Sequence, residues 1–250
     1  MTVGEMERQG HAVLDLPSRQ RKGEKIARLM DRRPSTGQLR LLEVGTGSGG
    51  IAHYFATQVE PRYDVDAVDV TDTRLVSEGY RFTQVADTSL PFPDATFDRV
   101  ITNHVIEHVG DVTAQRRHLQ EISRVLKPTG RVYLAVPNRW MLVEPHYGLA
   151  FLSWLPRAWR TPYLRLRGKG NVYDCEPLQM GELQDLIVSV GMSYRNVTVE
   201  AFRLTLAIEG DKGWLARLAN AFPDSMLRWM RRVIPTHIYL VEHGGPVHDE

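Results

Sequence analysis

One cysteine, Cys175, is all that 250 residues hold. An intramolecular disulfide and a metal site made of thiolates alone are therefore excluded, and a reducing compartment fits. Long hydrophobic runs are missing as well. No stretch approaches the ~20 apolar residues of a membrane span, and the N-terminal segment lacks the apolar core of a signal peptide, so a cytoplasmic location is expected. Charge of one sign is also lacking: 31 basic residues face 30 acidic ones, a net +1. No global field draws the chain to nucleic acid, and no DNA partner is expected. Internal repeats and low-complexity tracts are absent. What remains, 42% hydrophobic and 24% charged, suits one large globular domain with embellishments.

Strand-like and helix-like segments alternate along the first half. Leu39–Val44, Val65–Val70, Arg81–Val85, Arg99–Thr102 and Arg131–Val136 read as strands. Ile51–Gln58 and Thr113–Leu126 read as helices, the second closed by Lys127-Pro128-Thr129-Gly130. Before them, Ser18–Arg33 carries Ile26, Leu29 and Met30 at helical spacing, with Ser18 as N-cap and Pro34 as stop. Such alternation predicts a parallel sheet with helical crossovers. Residues 138–178 break the pattern, being rich in aromatics, Pro and Arg without clean periodicity. Gly181–Val190 reads as a helix, Ser193–Leu204 as a strand, 213–233 as amphipathic helix broken at Pro223, and Thr236–Glu242 as the final strand.

The most informative stretch is Leu41-Leu42-Glu43-Val44-Gly45-Thr46-Gly47-Ser48-Gly49-Gly50. An apolar strand runs through three spaced glycines into a helix, a turn that lets backbone approach a ligand closely. Asp69 lies about 20 residues beyond Gly49, where a carboxylate meets ribose hydroxyls. A dinucleotide and adenosylmethionine both fit that much. The dinucleotide fingerprint, however, is G-x-G-x-x-G, whereas this turn is Gly45-x-Gly47-x-Gly49 with Glu43 two residues ahead.

That form resembles motif I of the class I S-adenosylmethionine-dependent methyltransferases. Val85-Ala86-Asp87-Thr88 is similar to the family's acidic segment after strand three. Leu90-Pro91-Phe92-Pro93-Asp94-Ala95-Thr96-Phe97-Asp98-Arg99-Val100 resembles the lead-in to strand four in ubiquinone- and menaquinone-biosynthesis methyltransferases. Val105-Ile106-Glu107-His108-Val109 and Leu126-Lys127-Pro128-Thr129-Gly130-Arg131 match two further family segments. The resemblance covers residues 38–137 and, more loosely, 178–243. It implies an α/β Rossmann-like fold: a seven-stranded, mostly parallel sheet with flanking helices and an inserted cap after strand five. It also implies S-adenosylmethionine as cofactor. Glu43 would support the loop, Gly45, Thr46, Gly47 and Gly49 would cradle the methionine part, Asp69 and Val70 would meet the ribose, Asp87 and Thr88 the adenine, and Asn103 would line the site.

His104, Glu107 and His108 follow strand four, at the sheet edge where such folds bind ligands. As letters they also spell the inverted zincin motif H-x-x-E-H, which needs a helix bearing both histidines. A peptidase on this plan is read as coincidence. Some methyltransferases carry E-x-x-E-H here and hold a divalent cation; His104 replaces the first Glu. With His146 as fourth ligand, such a set would suit zinc or another borderline metal. In the metal-free alternative Glu107 and His108 brace the loop and His104 is the general base.

Between Pro145 and Tyr173 there is no Asp or Glu, yet Arg157, Arg160, Arg165, Arg167 and Lys169 alternate with Phe151, Trp154, Trp159 and Tyr163. Trp214, Trp229, Arg228, Arg231 and Arg232 repeat the theme near the C-terminus. This chemistry suits an amphipathic or anionic acceptor and equally a monotopic contact with an anionic membrane; a cap with solvated arginines is the plainer alternative. The organisation expected is a helical segment over 1–37, a cofactor-binding core over 38–137, an acceptor-side insertion over 138–180 and a sheet-completing part over 181–250. The activity expected is methyl transfer to a hydroxyl of a small-molecule or lipid-linked acceptor. A cofactor-binding regulatory protein without turnover and an RNA 2′-O-methyltransferase are the alternatives.

Overall fold

The computed structural model describes residues 15–30, 37–60, 63–144, 147–173, 175–209, 221–232 and 234–244. In chain order these form α1 (Leu16–Met30), β1 (Arg40–Val44), α2 (Gly50–Thr57), β2 (Asp64–Asp69), β3 (Arg81–Gln84), β4 (Phe97–Asn103), α3 (Val112–Val125) and β5 (Leu126–Pro137). There follow a two-strand hairpin of β6 (Val143–Glu144) and β7 (Leu149–Ala150), then α4 (Arg157–Leu166), α5 (Met180–Ser189), β8 (Met192–Asn196), α6 (Thr198–Glu209), α7 (Asp224–Met230) and β9 (Thr236–His243).

Alternation along β1 explains the layering. Leu42 and Val44 enter one core with Leu119, Ile122 and Val125 of α3 and Leu183 and Ile187 of α5. Leu41 enters a second core with Ile26 and Leu29 of α1, Ile51 and Phe55 of α2 and Ala201 of α6. Successive strand residues point to opposite faces, so a strand apolar on both faces must be covered on both. The sheet has seven strands in the order β3-β2-β1-β4-β5-β9-β8. Pairing is parallel from β3 through β5, and β9 runs antiparallel to both β5 and β8. This is the Rossmann-like sheet expected, with its insertion after the fifth strand.

Three local readings need correction. α1 starts at Leu16, so Ser18 lies inside its first turn; Pro17 sits near the helix start, where its missing N–H costs nothing. Pro34 lies outside the described residues. Lys127–Gly130 does follow the end of α3, but the strand opens already at Leu126, which pairs with Phe97, before the ladder resumes at Arg99 and Arg131. The four residues between form a bulge in β5. The strand expected over Ser193–Leu204 ends at Asn196. The Asn196 side chain accepts from Thr198 N at 3.0 Å, and Val197 just before α6, with Ala201 and Leu204 within it at helical spacing, turns into the second core.

The insertion is ordered around a small core of its own, with Tyr147, Leu149, Leu152 and Leu164 buried and Tyr163 and Tyr173 packed against them. It is rooted at Asn138, which is fully buried. The Asn138 amide donates to Arg232 O at 2.7 Å and Ile234 O at 2.9 Å, its N–H to Pro235 O, and its Oδ1 accepts from Trp140 N.

Candidate functional site

The carboxyl ends of β1, β2 and β4 meet at one edge of the sheet, and the glycine loop forms the floor there. Gly45, Gly47 and Gly49 all have positive φ, at 79°, 52° and 79°. A Cβ on Gly45 would collide with the Val105 side chain, and one on Gly49 with the Val76 carbonyl and the Tyr80 hydroxyl. Only glycine satisfies both the dihedral and the approach. Gly45 N donates to Val68 O at 2.9 Å, and the buried Thr46 hydroxyl points to the same carbonyl at 3.4 Å. Ser48 O accepts from Leu75 N and Val76 N, so the segment after β2 is stitched onto the loop. The Ser48 hydroxyl is buried with no partner among the described residues.

Glu43 lies beneath this loop. It is buried, and its Oε2 accepts from Ala52 N at 3.0 Å, strapping β1 to the first turn of α2. Burial pushes its carboxyl up to about 8, with Arg19 and the Ala52 hydrogen bond opposing and Asp69 reinforcing. Near neutral pH it is largely protonated in the ligand-free chain, an internal strut between β1 and α2.

Asp69, at the end of β2, accepts from Gly47 N at 2.8 Å through Oδ2 and from Thr71 N at 3.4 Å through Oδ1. A carboxylate offers about four lone-pair sites, so acceptor capacity remains on both oxygens. Val70 is exposed beside it, with its carbonyl held by Gln84 Nε2. Val85 N donates to Asp69 O, which brings the turn bearing Asp87 and Thr88 to the same edge. Asp87 is exposed; the hydrogen bond from Ser89 N holds its carboxyl below the usual aspartate value.

The segment leading into β4 is clamped by two residues that sequence reading passed over. Arg124 donates to Leu90 O at 2.9 Å, Phe92 O at 2.7 Å and Asp94 at 2.8 Å. Glu121 accepts from Leu90 N at 2.9 Å and pairs with Arg124. Their i,i+3 spacing on α3 was the one signal available.

Asn103 ends β4, and His104 follows with φ 59°, its N–H donating to Ala135 O at 2.9 Å. A non-glycine residue there is uncommon. The turn aims the imidazole at Glu107, with Nδ1 3.3 Å from Oε1; His108 Nε2 lies 3.9 Å from the same oxygen. Glu107 is buried, which opposes its ionisation, but the imidazoles of His104 and His108 outweigh burial and hold it below the usual glutamate value. Behind it His118, buried and 3.2 Å from the Thr102 hydroxyl, is pushed down to about 4 by burial, with Glu107 opposing. Cys175 closes the far side, its Sγ 3.7 Å from His108 Nδ1. The lone cysteine and His118 thus join a cluster to which no sequence spacing pointed.

Residues 106–108 are a single 3-10 turn, so His104 and His108 do not share a helix face as a zincin requires. Among the described residues no group of three or more His, Cys, Asp or Glu side chains is arranged to hold a metal. His146 lies outside them.

Residues 42–134 match the family model of a methyltransferase domain. The chain is 32% identical over 120 residues to the uncharacterized methyltransferase YcgJ of Bacillus subtilis (strain 168), covering 45% of this chain and 46% of that one. It is 28% identical over 185 residues to the ubiquinone/menaquinone biosynthesis C-methyltransferase UbiE of Bordetella avium (strain 197N), covering 68% of each. By sequence, then, the match to YcgJ spans less than half of that protein. Its fold is similar to the crystal structure of YcgJ (TM-score 0.52, 19% identity, 89% of this chain and 98% of that one). It is equally similar to that of the [4+2]-cyclase SpnF (TM-score 0.54, 19% identity, 98% and 88%).

Proposed function

We propose that this chain, which belongs to the class I S-adenosylmethionine-dependent methyltransferase family, transfers a methyl group to a hydroxyl of a small-molecule or lipid-linked acceptor. The observation that carries the reading is the clip between loop and strand, three positive-φ glycines closed by the Gly47 N–H on the Asp69 carboxylate. The residues fit the cofactor: two separate carboxylates stand at one edge beside a glycine loop that holds a buried serine hydroxyl with no partner among the described residues. Asp69 takes the ribose hydroxyls, with Val70 beside it. Asp87 and Thr88 accept from the adenine, Gly45 to Gly49 border the methionine part, and Asn103 closes the floor. Glu43 acts one layer below, fixing the angle between β1 and α2. When bound, the cofactor supplies a methyl already activated on a sulfonium, so catalysis is largely a matter of placement.

His104 is the general base of this reading. Nδ1 faces a buried carboxylate, which orients the ring and leaves Nε2 as the basic end. An acceptor hydroxyl placed against it gives up its proton as the O–CH3 bond forms. Glu107 and His108 hold that geometry. A divalent metal enters only as an outcome of the test, because the described residues offer no set of three ligands.

A second reading, carbon methylation, is favoured by the likeness to the C-methyltransferase UbiE. The same base would then take a proton from carbon. A binding protein without turnover and an RNA-directed enzyme are the remaining alternatives.

The test is transfer of labelled methyl from S-adenosylmethionine into an extract split into organic, aqueous and macromolecular fractions, with and without a chelator. Label is expected in a small-molecule or lipid fraction, untouched by chelator, as a base-stable, ether-type O-methyl product. C-methyl product moves the reading to the second form, and chelator-sensitive label installs a metal at His104. Label in RNA, or tight binding without transfer, overturns it. Asp69→Ala should weaken cofactor binding at least about tenfold by calorimetry, since it removes charge-assisted hydrogen bonds to the ligand. Unchanged affinity removes Asp69 from the site.

A further inference from the structure

Tryptophan is usually among the well-buried side chains. Here all four tryptophans among the described residues are at the surface: Trp140 (38% exposed), Trp154 (40%), Trp159 (67%) and Trp229 (80%). None enters either main core. Eight of the fourteen large apolar side chains exposed among the described residues fall in the insertion. They are not scattered. Trp140 and Phe151 stack edge-on against Trp154, at 5.5 and 5.2 Å between ring centres. Phe151 reaches the surface from a left-handed backbone with φ 58°.

On α4 the same theme takes helical form. Arg160 and Leu164 are the buried face. On the opposite side Trp159, Pro162 and Leu166, at i, i+3 and i+7, make one apolar stripe, and Leu166 is 83% exposed. An apolar stripe turned away from the core is the reverse of an ordinary surface helix. Arg165 and Arg167 border it and Lys169 follows; residues 145–173 contain no acidic side chain at all. α7 carries a second such ridge, Met226 and Trp229 beside Arg228. The chain just after it, at Arg232 and Ile234, is fastened to Asn138 at the root of the insertion.

We propose that the insertion is a monotopic membrane anchor, which lays the Trp159–Leu166 stripe and the Trp140–Phe151–Trp154 cluster into the headgroup layer of an anionic bilayer. Charge complementarity selects the occupant. A basic rim without carboxylates matches anionic lipid, and indole rings partition to the water–hydrocarbon boundary. Side chains that stand proud of the surface suit penetration into a fluid layer better than docking on a rigid partner, whose hot spots sit in closed pockets. This inference goes beyond the methyl-transfer reading and is independent of it.

The experiment is co-sedimentation of the full chain with vesicles of phosphatidylcholine alone or mixed with phosphatidylglycerol, followed also by tryptophan fluorescence. Partition into the mixed vesicles is expected, with a blue-shifted emission and loss at high salt. Trp159→Ala with Leu166→Ala should cut that partition at least about tenfold. Arg165→Gln with Arg167→Gln should abolish the preference for phosphatidylglycerol. Both pairs are exposed, so melting curves should match the parent and separate lost binding from lost fold. No partition of the parent, or partition that survives both double substitutions, overturns the proposal. So does a dimer in analytical ultracentrifugation that the Trp159/Leu166 pair dissolves while vesicles leave the chain in solution.

Discussion

At the scale of single residues, His104 answers two demands. Its backbone adopts a left-handed turn that disfavours most side chains, and its ring stands against a buried carboxylate. Asparagine tolerates that backbone; alanine does so less well. His104→Asn should therefore lower turnover by about two to four orders of magnitude, the usual contribution of a general base, while leaving stability within about 1 kcal/mol of the parent. His104→Ala should lose the same activity and melt at a lower temperature than the Asn variant. Equal turnover of His104→Asn and the parent, in the labelled-methyl assay, would remove the base. The separation of Asp69 from the glycine loop was legible in the sequence because it is fixed by one βαβ unit. Cys175 and His118 were not, since they reach His108 and the neighbourhood of Glu107 through the fold and no local spacing signals them.

Among elements, legibility followed how local the decisive force was. β1, β2, β4 and α3 announce themselves through apolar runs and, for α3, the stop after it; the cap Asp111, which accepts from Ala114 N at 3.0 Å at the start of α3, went unread. The region after Asn196 misled because its β-branched and apolar residues suit a strand, whereas burial against α1 and β9 selects a helix. α4 was invisible as a helix because its outward face is apolar and an arginine belongs to its buried one, which inverts the usual pattern. The clamp between α3 and the lead-in to β4 yields its own expectation. Arg124→Ala removes hydrogen bonds to two carbonyls and two carboxylates at once. Urea unfolding should show a loss of about 1–3 kcal/mol. Proteolysis should find the 89–95 segment first. An unchanged midpoint would mean the clamp is ornamental.

For the molecule as a whole, three buried titrating groups shape stability against pH. His118 and His237 are both pushed by burial from an ordinary 6.5 down to about 4, with Glu107 opposing at the first and Arg231 adding at the second. Between pH 4 and 6.5 the unfolded chain binds their protons and the folded one does not, so stability is full above 6.5 and falls as pH falls. Glu43 works the other way: its folded value of about 8 lies above the ordinary 4.5. Its contribution is full below 4.5 and falls as pH rises towards 8. Two protons oppose one below 6.5, and one acts alone above it. The stability curve should peak near pH 6.5, with slopes on the order of 1 kcal/mol per pH unit on either side. Denaturant midpoints across pH 4 to 9 give the curve, and Glu43→Gln should flatten its alkaline limb and steepen its acid limb, where Glu43 no longer opposes the two histidines. A curve still rising at pH 8 contradicts the burial of Glu43.

The strand order carries a consequence in time. β9 is the last described strand along the chain, yet it lies inside the sheet, between β5 and β8. As the chain leaves the ribosome, β8 has no strand to pair with and β5 shows an open edge until β9 arrives. Asn138, three of whose partners lie between α7 and β9, waits equally long, and with it the root of the insertion. The glycine loop and its carboxylates are complete many residues earlier. During synthesis the ligand edge is therefore drawn first and the wall beside it last, so a chain stalled in between exposes a sticky β5 edge to its neighbours on the polysome.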